Sequence, residues 1–312
     1  MSVPAFSAIV VSYDVRDLLR RCLQTLQAQT HVTTEILVVD NASHDGSANM
    51  VAAEFPGVTL IRSAENLGFA RANNLALAQA RGAFLALVNP DTELPADVFS
   101  RIAGVFARHP RAGAVGPALC NLDGSPQPSC FAYPGVGNLI LESAGATRFL
   151  LPLGLGTPSL APTPRGGEGE VDWLSGACMV LTRAAYERTG GLEPSLFMYG
   201  EEMDWSWRAR ALGFATVFSA ATRVIHHGGA SSEAAVGALF VRNLQGRLAF
   251  LRAHRGAWRA VLARHVMAWG SLARLAAWEL RAVAEGAAPS PRTRAQLERF
   301  RAVRDWYLRG PA

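Results

Sequence analysis

Two carboxylates, those of Asp40 and Asp91, each close an apolar run that is typical of a buried parallel strand. The first run is EILVVD at residues 35–40, and the second is FLALVNPD at residues 84–91. In an open α/β sheet the ligand crevice lies outside the carboxyl ends of the strands. We therefore expect both carboxylates at one edge, where a nucleotide and its metal ion would bind. This arrangement indicates an enzyme that acts on an activated nucleotide compound.

A second acidic cluster, formed by Glu201, Glu202 and Asp204, stands at the start of a predicted helix over 202–212. A carboxylate within hydrogen-bond reach of an acceptor hydroxyl can remove its proton. The alternative is structural, because acids in a first helical turn offset the helix dipole. For the cluster taken alone, the structural interpretation is favoured. Asp204 and Arg208 are four residues apart, which predicts a helical ion pair.

Metal chemistry would involve Asp91 and His226. A divalent ion that bridges two phosphates neutralises a departing diphosphate. Oxygen ligands with one imidazole suit Mg²⁺ or Mn²⁺, and these two residues are the candidate ligands. The four cysteines form no CxxC pair and show no metal spacing, so we expect reduced cytosolic thiols.

Strand and helix alternate through the first ninety residues, which predicts a doubly wound, mostly parallel α/β sheet. A polar turn follows each of the four predicted strands. Ordinary loops would explain any one of these turns, but four at one edge favour a binding site. The later predicted elements are a helix over 95–109, a mobile Pro- and Gly-rich loop over about 134–170, a strand over 171–181 with a kink at small residues, the helix over 202–212, a strand ending at 227, and amphipathic helices beyond 233.

Charge divides the chain at about residue 230. Residues 1–230 hold 16 Arg and 20 acids, whereas residues 231–312 hold 14 Arg and 5 acids, and there is no Lys. We expect a catalytic domain over 1–230 and a basic helical region over 231–312. That region could pack on the catalytic domain, lie in an anionic bilayer interface or bind a partner helix. Nucleic-acid binding is the weakest alternative, because the sequence contains no recognised nucleic-acid-binding module. No apolar run reaches 18 residues, so we expect no transmembrane helix.

The motifs, taken in order, resemble the family 2 glycosyltransferases with the GT-A fold, especially their rhamnosyltransferase-like branch. The resemblance covers roughly residues 6–230. Any single motif is weak, but their joint order is specific. The motifs are IVVSY (9–13), VVDNASHDGS (38–47), NLGFA (66–70) with NN (73–74), NPD (89–91), SGA (175–177), GGL (190–192), FMY (197–199), EEMD (201–204) and HHGGAS (226–231).

The resemblance implies a role for each site residue. Glu202 would be the general base, and Glu201 would shape its surroundings. Asp91 would be the surviving carboxylate of an Asp-x-Asp metal motif, with Asn89 at its other acidic position, and His226 would complete the metal site or touch the diphosphate. The donor would be bound by Ser12, Tyr13, Asp40, Asn66, Gly68, Asn73, Asn89 and Asp91, with Asp40 accepting the ring N–H of a uracil or thymine. The acceptor would meet Trp173, Gly176 and Ala177, although Trp173 is equally consistent with a core tryptophan.

The implied activity is the inverting, metal-dependent transfer of a sugar from a dTDP- or UDP-linked donor. Rhamnose from dTDP-rhamnose is the first expectation. The acceptor would be a hydroxyl of a glycan or a lipid-linked compound in cell-envelope polysaccharide synthesis. We expect a cytoplasmic protein. A peripheral position at the inner face of the cytoplasmic membrane and assembly into a homo-oligomer are both left as open alternatives. Glu202 replaces the Asp typical of the family and Asn89 replaces one acid of the metal motif, which leaves a non-catalytic nucleotide-sugar-binding or scaffold protein as an alternative. A nucleotidyltransferase is a further alternative, because it could share the sheet and the metal site.

Overall fold

The computed structural model describes residues 3–143, 163–228, 236–286 and 288–310. These residues fall into two compact units. The first comprises the described parts of Met1–Ala132, Ala161–Phe197 and Glu201–Ser231, and the second those of Tyr133–Leu160, Met198–Gly200 and Ser232–Ala312. The boundary that we predict at residue 230 remains a prediction.

The first unit is built on a mixed, mostly parallel sheet of ten strands. Their order is β3-β2-β1-β4-β11-β6-β12-β5, with β7 beside β6 and β9 beside β12, while β8 and β10 form a separate pair. The strands are β1 (Phe6–Ser12), β2 (Thr34–Asp40), β3 (Thr59–Arg62), β4 (Phe84–Val88), β5 (Thr92–Glu93), β6 (Ala112–Cys120), β7 (Pro126–Gln127), β8 (Cys130–Phe131), β9 (Glu168–Val171), β10 (Trp173–Leu174), β11 (Cys178–Thr182) and β12 (Ala215–His226).

Helices cover both faces of this sheet, because successive strand residues point to opposite sides. The helices are α1 (Arg16–Gln27), α2 (Ser47–Glu54), α3 (Gly68–Leu77), α4 (Val98–Arg108), α6 (Arg183–Thr189) and α7 (Glu201–Ala211). Ala8 and Val10 of β1 belong to one core with α1, α2 and α4. Ile9, between them, belongs to the core on the opposite face with α3, α6 and α7.

The strand directions bring several carboxyl ends to one edge. Strands β2 and β4 both run parallel to β1. Strand β11 runs antiparallel to both β4 and β6, so β6 has the same direction as β4. Strand β12 is parallel to β6. The ends of β1, β2, β4, β6 and β12 therefore lie at the same edge. The alternating pattern predicts this for β1, β2 and β4, whereas β6 is a strand that the sequence analysis does not predict.

Two predicted segments differ from the structure. The apolar stretch over 171–181 is not one strand, because a turn separates β10 from β11. The stretch predicted as a mobile loop contains a helix, α5 (Val136–Ser143), at one end and β9 at the other. Residues 144–162 lie outside the described residues, and the mobility of that segment remains a prediction.

The second unit is helical, as predicted for the C-terminal region. Besides α5 it contains α8 (Val236–His254), α9 (Ala257–Glu285) and α10 (Pro291–Leu308). One core joins all four, with Leu139, Leu251, Ala263 and Val303 among its buried residues. Among the described helices, none has the length and apolar content needed to span a bilayer.

Candidate active site

The ends of β1 and β2 place Ser12 and Asp40 side by side. The two residues are register partners in the parallel pair, and both are buried. Asp40 Oδ2 accepts a hydrogen bond of 3.3 Å from the Ser43 amide. Within the described part of the chain, Asp40 Oδ1 and Ser12 Oγ are buried without a hydrogen-bond partner. A buried acceptor without a hydrogen bond costs about 1–3 kcal/mol of free energy. A ligand N–H that donates to Asp40 would remove that cost. Tyr13, next along the chain, is exposed.

Asn41 ties this edge to the turn that precedes α3. Its Nδ2 donates to Asn66 Oδ1 at 2.9 Å, and its Oδ1 accepts from the Leu67 amide at 2.8 Å. The Asn66 oxygen also accepts from the Gly68 amide at 3.0 Å. These bonds fix the position of the turn against the end of β2. We did not single out Asn41 from the sequence, although it directly follows Asp40.

Gly68 lies where another residue would not fit. Its φ of +77° is in the left-handed region, and a Cβ there would overlap the carbonyl and ring of Phe197. The next amide, that of Phe69, donates to the Phe197 carbonyl at 2.7 Å. Asn73 is buried inside α3, and its Nδ2 donates to the Phe69 carbonyl at 2.9 Å. That amide group therefore has a bond within the helix, and its predicted donor contact remains a prediction.

Asp91 and His226 meet, as their predicted role requires. His226 Nε2 lies 3.4 Å from Asp91 Oδ1, because the end of β12 pairs with β5 directly after Asp91. The His227 amide also donates to the Asp91 carbonyl at 2.9 Å. Asn89 is linked to the same edge through its backbone amide, which donates to the Ala177 carbonyl at 3.0 Å.

Glu202 lies against Gly176, the residue before Ala177. The Gly176 backbone N–H lowers the pKa of the Glu202 carboxyl group, in opposition to burial. A Cβ on Gly176 would overlap Glu202 Oε1, so a glycine is required for this approach. Ala177, the residue after Gly176, is hydrogen-bonded to Asn89, which is two residues before Asp91. A short series of contacts therefore connects Glu202 with Asp91. The predicted base, the acceptor motif and the Asn-Pro-Asp triplet therefore come together.

The environment of Glu202 changes its acidity. Burial raises the pKa of Glu202 to about 7, although the backbone N–H groups of Gly176 and of Glu202 itself oppose the shift. A general base is most effective when its pKa is near the working pH. Glu201 precedes it and is buried. A carboxyl group with a raised pKa in this position is suited to accept a proton from an acceptor hydroxyl.

Helix α7, which begins with Glu201, is held in place by two side chains. Arg208 Nε bonds Asp204 at 2.8 Å, as predicted, and its other nitrogens donate to the carbonyls of Thr189 and Gly191. Trp205 is fully buried and donates to the Gly190 carbonyl at 2.9 Å. The start of the helix therefore has a fixed position relative to the sheet.

Trp173 has a structural role in this fold. Its Nε1 donates to the Ala132 carbonyl at 3.1 Å, and its ring stacks on Phe131 at 4.3 Å. Contact with the acceptor remains a prediction. A surface cavity of about 480 Å³ lies elsewhere, at the start of β12, where Arg111 and Arg210 line it. None of the predicted site residues lines that cavity.

Comparison with known proteins decides the family. Residues 7–127 match the family described as Glycosyl transferase family 2. The N-acetylglucosaminyl-diphospho-decaprenol L-rhamnosyltransferase of Mycobacterium tuberculosis is 29% identical over 274 residues, which cover 81% of this chain and 86% of that protein. The chain carries a family 2 glycosyltransferase domain. Its similarity to the mycobacterial rhamnosyltransferase extends over most of both chains.

One further relative and two solved structures are also similar to this chain. The O-antigen biosynthesis protein RfbC of Myxococcus xanthus is 31% identical over 237 residues, which cover 74% of this chain but 18% of that longer protein. A solved mannosyltransferase from Pyrobaculum calidifontis, in complex with GDP-Man and Mn²⁺, superposes with a TM-score of 0.60 at 19% identity, covering 99% of this chain and 87% of that one. Residues 1–349 of S. aureus TarS superpose with a TM-score of 0.51 at 16% identity, covering 98% and 92%. These structures confirm the GT-A fold.

Proposed function

We propose that this glycosyltransferase is an inverting, metal-dependent enzyme that moves a sugar from a dTDP- or UDP-linked donor to an acceptor hydroxyl. The observation that carries the proposal is the buried Glu202 carboxyl group, which lies against Gly176 and whose pKa is raised by burial to about 7. Ala177, the residue after Gly176, is hydrogen-bonded to Asn89, two residues before Asp91. A base and a diphosphate site at one edge are the two requirements of direct displacement.

The donor base would be recognised by Asp40. A uracil or thymine presents one ring N–H, and the unpartnered Oδ1 of Asp40 is an acceptor for it. A buried polar group that needs a partner selects strongly against ligands lacking that partner. Ser12 and Tyr13 would border the base, while Asn66, Gly68 and Asn73 would border the rest of the donor. A base with a ring N–H, such as uracil or thymine, is therefore favoured over adenine or cytosine, which lack one.

Asp91 and His226 fit a divalent ion. Their facing atoms, His226 Nε2 and Asp91 Oδ1, are 3.4 Å apart, and an imidazole with a carboxylate oxygen would suit Mg²⁺ or Mn²⁺. Among the described residues there is no cluster of three or more His, Cys, Asp or Glu side chains suited to a metal. The remaining ligands would come from the donor diphosphate and water. A bound ion would neutralise the negative charge that develops on the leaving diphosphate.

The reaction would be a single displacement. Glu202 takes the proton of the acceptor hydroxyl as that oxygen forms its bond to the anomeric carbon. The bond from the anomeric carbon to the diphosphate oxygen breaks at the same time, and its electron pair leaves with the nucleoside diphosphate. Attack from the face opposite the leaving group inverts the anomeric centre. Glu201 would shape the surroundings of the base.

The relatives suggest the sugar and the acceptor. The mycobacterial relative is an L-rhamnosyltransferase acting on N-acetylglucosaminyl-diphospho-decaprenol, and we therefore propose rhamnose, from dTDP-rhamnose, and a lipid-linked glycan hydroxyl. The Pyrobaculum neighbour was solved with Mn²⁺, which supports a divalent ion here. Work on a lipid-linked acceptor would place the protein at the cytoplasmic face of a membrane.

A donor panel tests this function. Purified protein with Mn²⁺ would be incubated with dTDP-rhamnose, UDP-sugars and GDP-mannose, and both binding and slow donor hydrolysis would be measured. We expect tightest binding and measurable hydrolysis with a dTDP- or UDP-sugar. Parallel incubations would add a lipid-linked glycan acceptor or a nucleoside triphosphate. Donor binding without turnover on the acceptor would favour the scaffold alternative, and release of pyrophosphate from the triphosphate would favour a nucleotidyltransferase.

One face of α9 supports the membrane part of the proposal. Its exposed large apolar side chains repeat at spacings of 3, 4, 7 and 11 residues, which places them on one stripe of the helix. They are Trp258, Val261, Leu262, Trp269, Leu280 and Val283. Arg259 lies over the Trp258 ring at 4.5 Å, and Arg281 lies over the Trp278 ring at 5.2 Å.

Charge favours an anionic bilayer over a second copy of the chain. The region from residue 231 onward holds 14 Arg and 5 acids, so two copies would repel each other. An amphipathic helix with Trp on its apolar face and Arg beside it binds in the plane of an anionic interface. We propose that the α9 stripe is that contact. A partner helix remains the competing occupant.

Liposome flotation tests the stripe directly. The full chain should float with vesicles containing phosphatidylglycerol and remain below with phosphatidylcholine alone. A Trp269→Ser/Leu280→Ser double variant should lose most of this binding, whereas Leu75→Ser, at an exposed leucine of α3, should retain it. If the wild-type protein stayed entirely in the soluble fraction with anionic vesicles, the membrane contact would be excluded.

A further inference from the structure

His226 lies at the end of a chain of side-chain hydrogen bonds that the sequence did not reveal. The chain begins at Asp123, in the turn between β6 and β7. Ser125 Oγ donates to Asp123 Oδ1 at 2.6 Å, and Asn121 Nδ2 donates to Ser125 Oγ at 2.8 Å. Gln127 Nε2 then donates to Asn121 Oδ1 at 2.6 Å. The last contact, of 2.9 Å, joins Gln127 Oε1 to His226 Nδ1.

The chain has a direction because its first member can only accept. An ionised carboxylate carries no proton to donate, and the pKa of Asp123 is lowered by the hydrogen bonds from Ser125. The serine hydroxyl proton must therefore point to Asp123, which leaves the serine oxygen to accept from the Asn121 amide nitrogen. The oxygen of Asn121 is then directed toward Gln127.

A second contact fixes the Gln127 amide independently. Its Nε2 also donates to the His226 backbone carbonyl at 2.7 Å, and a carbonyl oxygen can only accept. Both acceptors therefore require the nitrogen on that side of the amide. Gln127 Oε1 must face the imidazole, and Nδ1 of His226 must carry the proton in that contact.

We infer that Gln127 and Asn121 are positioning residues that hold His226 in the Nδ1–H tautomer, so that its Nε2 lone pair faces Asp91 as a ligand for a divalent cation. The facing atoms, Nε2 and Asp91 Oδ1, are then both acceptors at 3.4 Å. Two such acceptors repel each other unless a cation lies between them. The inference deepens the proposed metal site and rests on His226 acting there.

The tautomer can be measured without metal, donor or acceptor. Two-dimensional ¹H–¹⁵N spectra distinguish the protonated from the unprotonated ring nitrogen, and a His226→Asn variant identifies the signals of His226. At a pH where the ring is neutral, we expect Nδ1 to carry the proton. A neutral His226 with its proton on Nε2 would overturn the inference.

Variants then connect the tautomer to cation binding. Gln127→Met keeps the length of the side chain and removes its acceptor, so it should populate both tautomers. Loss of such an outer-shell partner weakens metal binding about 10- to 100-fold, which proton relaxation enhancement with Mn²⁺ alone would measure. Asn121→Asp retains the acceptor for Gln127 and should keep the wild-type tautomer. Gln127→Met with wild-type tautomer and wild-type Mn²⁺ affinity would contradict the inference.

The same experiment separates this inference from the proposed metal role. If His226→Asn leaves Mn²⁺ affinity unchanged, His226 is not a ligand and the inferred purpose of the chain fails with it. The proposed role of Glu202 as base would be unaffected by that result. If His226→Asn weakens Mn²⁺ binding and Gln127→Met does not, the metal role stands and only the positioning role of Gln127 is lost.

Discussion

Replacing Glu202 by Gln should have two effects that depend on the same raised pKa. The side chain keeps its shape and loses its charge and its capacity to accept a proton. Transfer should fall by about 10²- to 10⁴-fold, the usual contribution of a general base. Donor binding should persist, because the donor contacts are assigned to other residues. In the wild type, kcat/KM should rise with pH through about 7, where burial sets the pKa of Glu202.

The stability effect can be worked out from the same pKa. Burial raises the pKa of Glu202 from 4.5 to about 7, so the folded state holds a proton that the unfolded state has released between those values. Stability therefore falls as pH rises through that window. The loss is complete above it and amounts to about 3 kcal/mol. Glu202→Gln does not titrate and should escape this loss.

Urea unfolding of both proteins at pH 4.5 and pH 8.5 measures the effect. The stability of Glu202→Gln relative to wild type should increase by about 3 kcal/mol between the two pH values, and any constant cost of the substitution cancels in that comparison. Glu187→Gln, at an exposed position of α6, is the matched control and should show no such change. An equal difference at both pH values would refute the buried, raised-pKa carboxyl group, and unchanged transfer would remove Glu202 as the base.

Three further substitutions test the geometry around the site. Asp91→Asn should weaken Mn²⁺ binding by at least tenfold, as measured by proton relaxation enhancement, since it removes the charged oxygen ligand; unchanged affinity would place the ion elsewhere. Gly176→Ala should displace the Glu202 carboxylate, because the added Cβ overlaps it, and should lower kcat about 100-fold with little change in donor Kd; normal kcat would argue against that contact. Gly68→Ala should destabilise the protein by at least 1 kcal/mol in thermal unfolding, because its positive φ and the overlap with Phe197 are both unfavourable; an unchanged Tm would contradict the tight approach.

The sequence was sufficient for the fold class and for the edge that carries the site. Parallel strands joined by helices must end at the same edge, so Asp40 and Asp91 could be assigned to it from their positions alone. The joint order of the motifs also identified the family and the enzyme class, which the comparisons confirm. The helical ion pair between Asp204 and Arg208 followed from their spacing, because that interaction is local.

Non-local arrangements could not be predicted in this way. Strand β11 lies antiparallel between β4 and β6, and nothing in the residues of one strand specifies the direction of its neighbours. The contact between Gln127 and His226 joins residues 99 positions apart. Gln127 lies outside every recognised motif and at no recognisable spacing from His226, so only the three-dimensional structure reveals its role.

The most direct test of the central claim is whether the base and the cation ligands share one edge. Mn²⁺ is paramagnetic and broadens the NMR signals of nuclei near it, so the protein would be titrated with Mn²⁺ and its backbone amide signals followed. We predict strong broadening at Gly176, Glu202 and Asn89, little at Ala215 at the far end of β12, and loss of the effect in Asp91→Asn. Broadening at His226 with sharp signals at Gly176 and Glu202 would contradict a common active site.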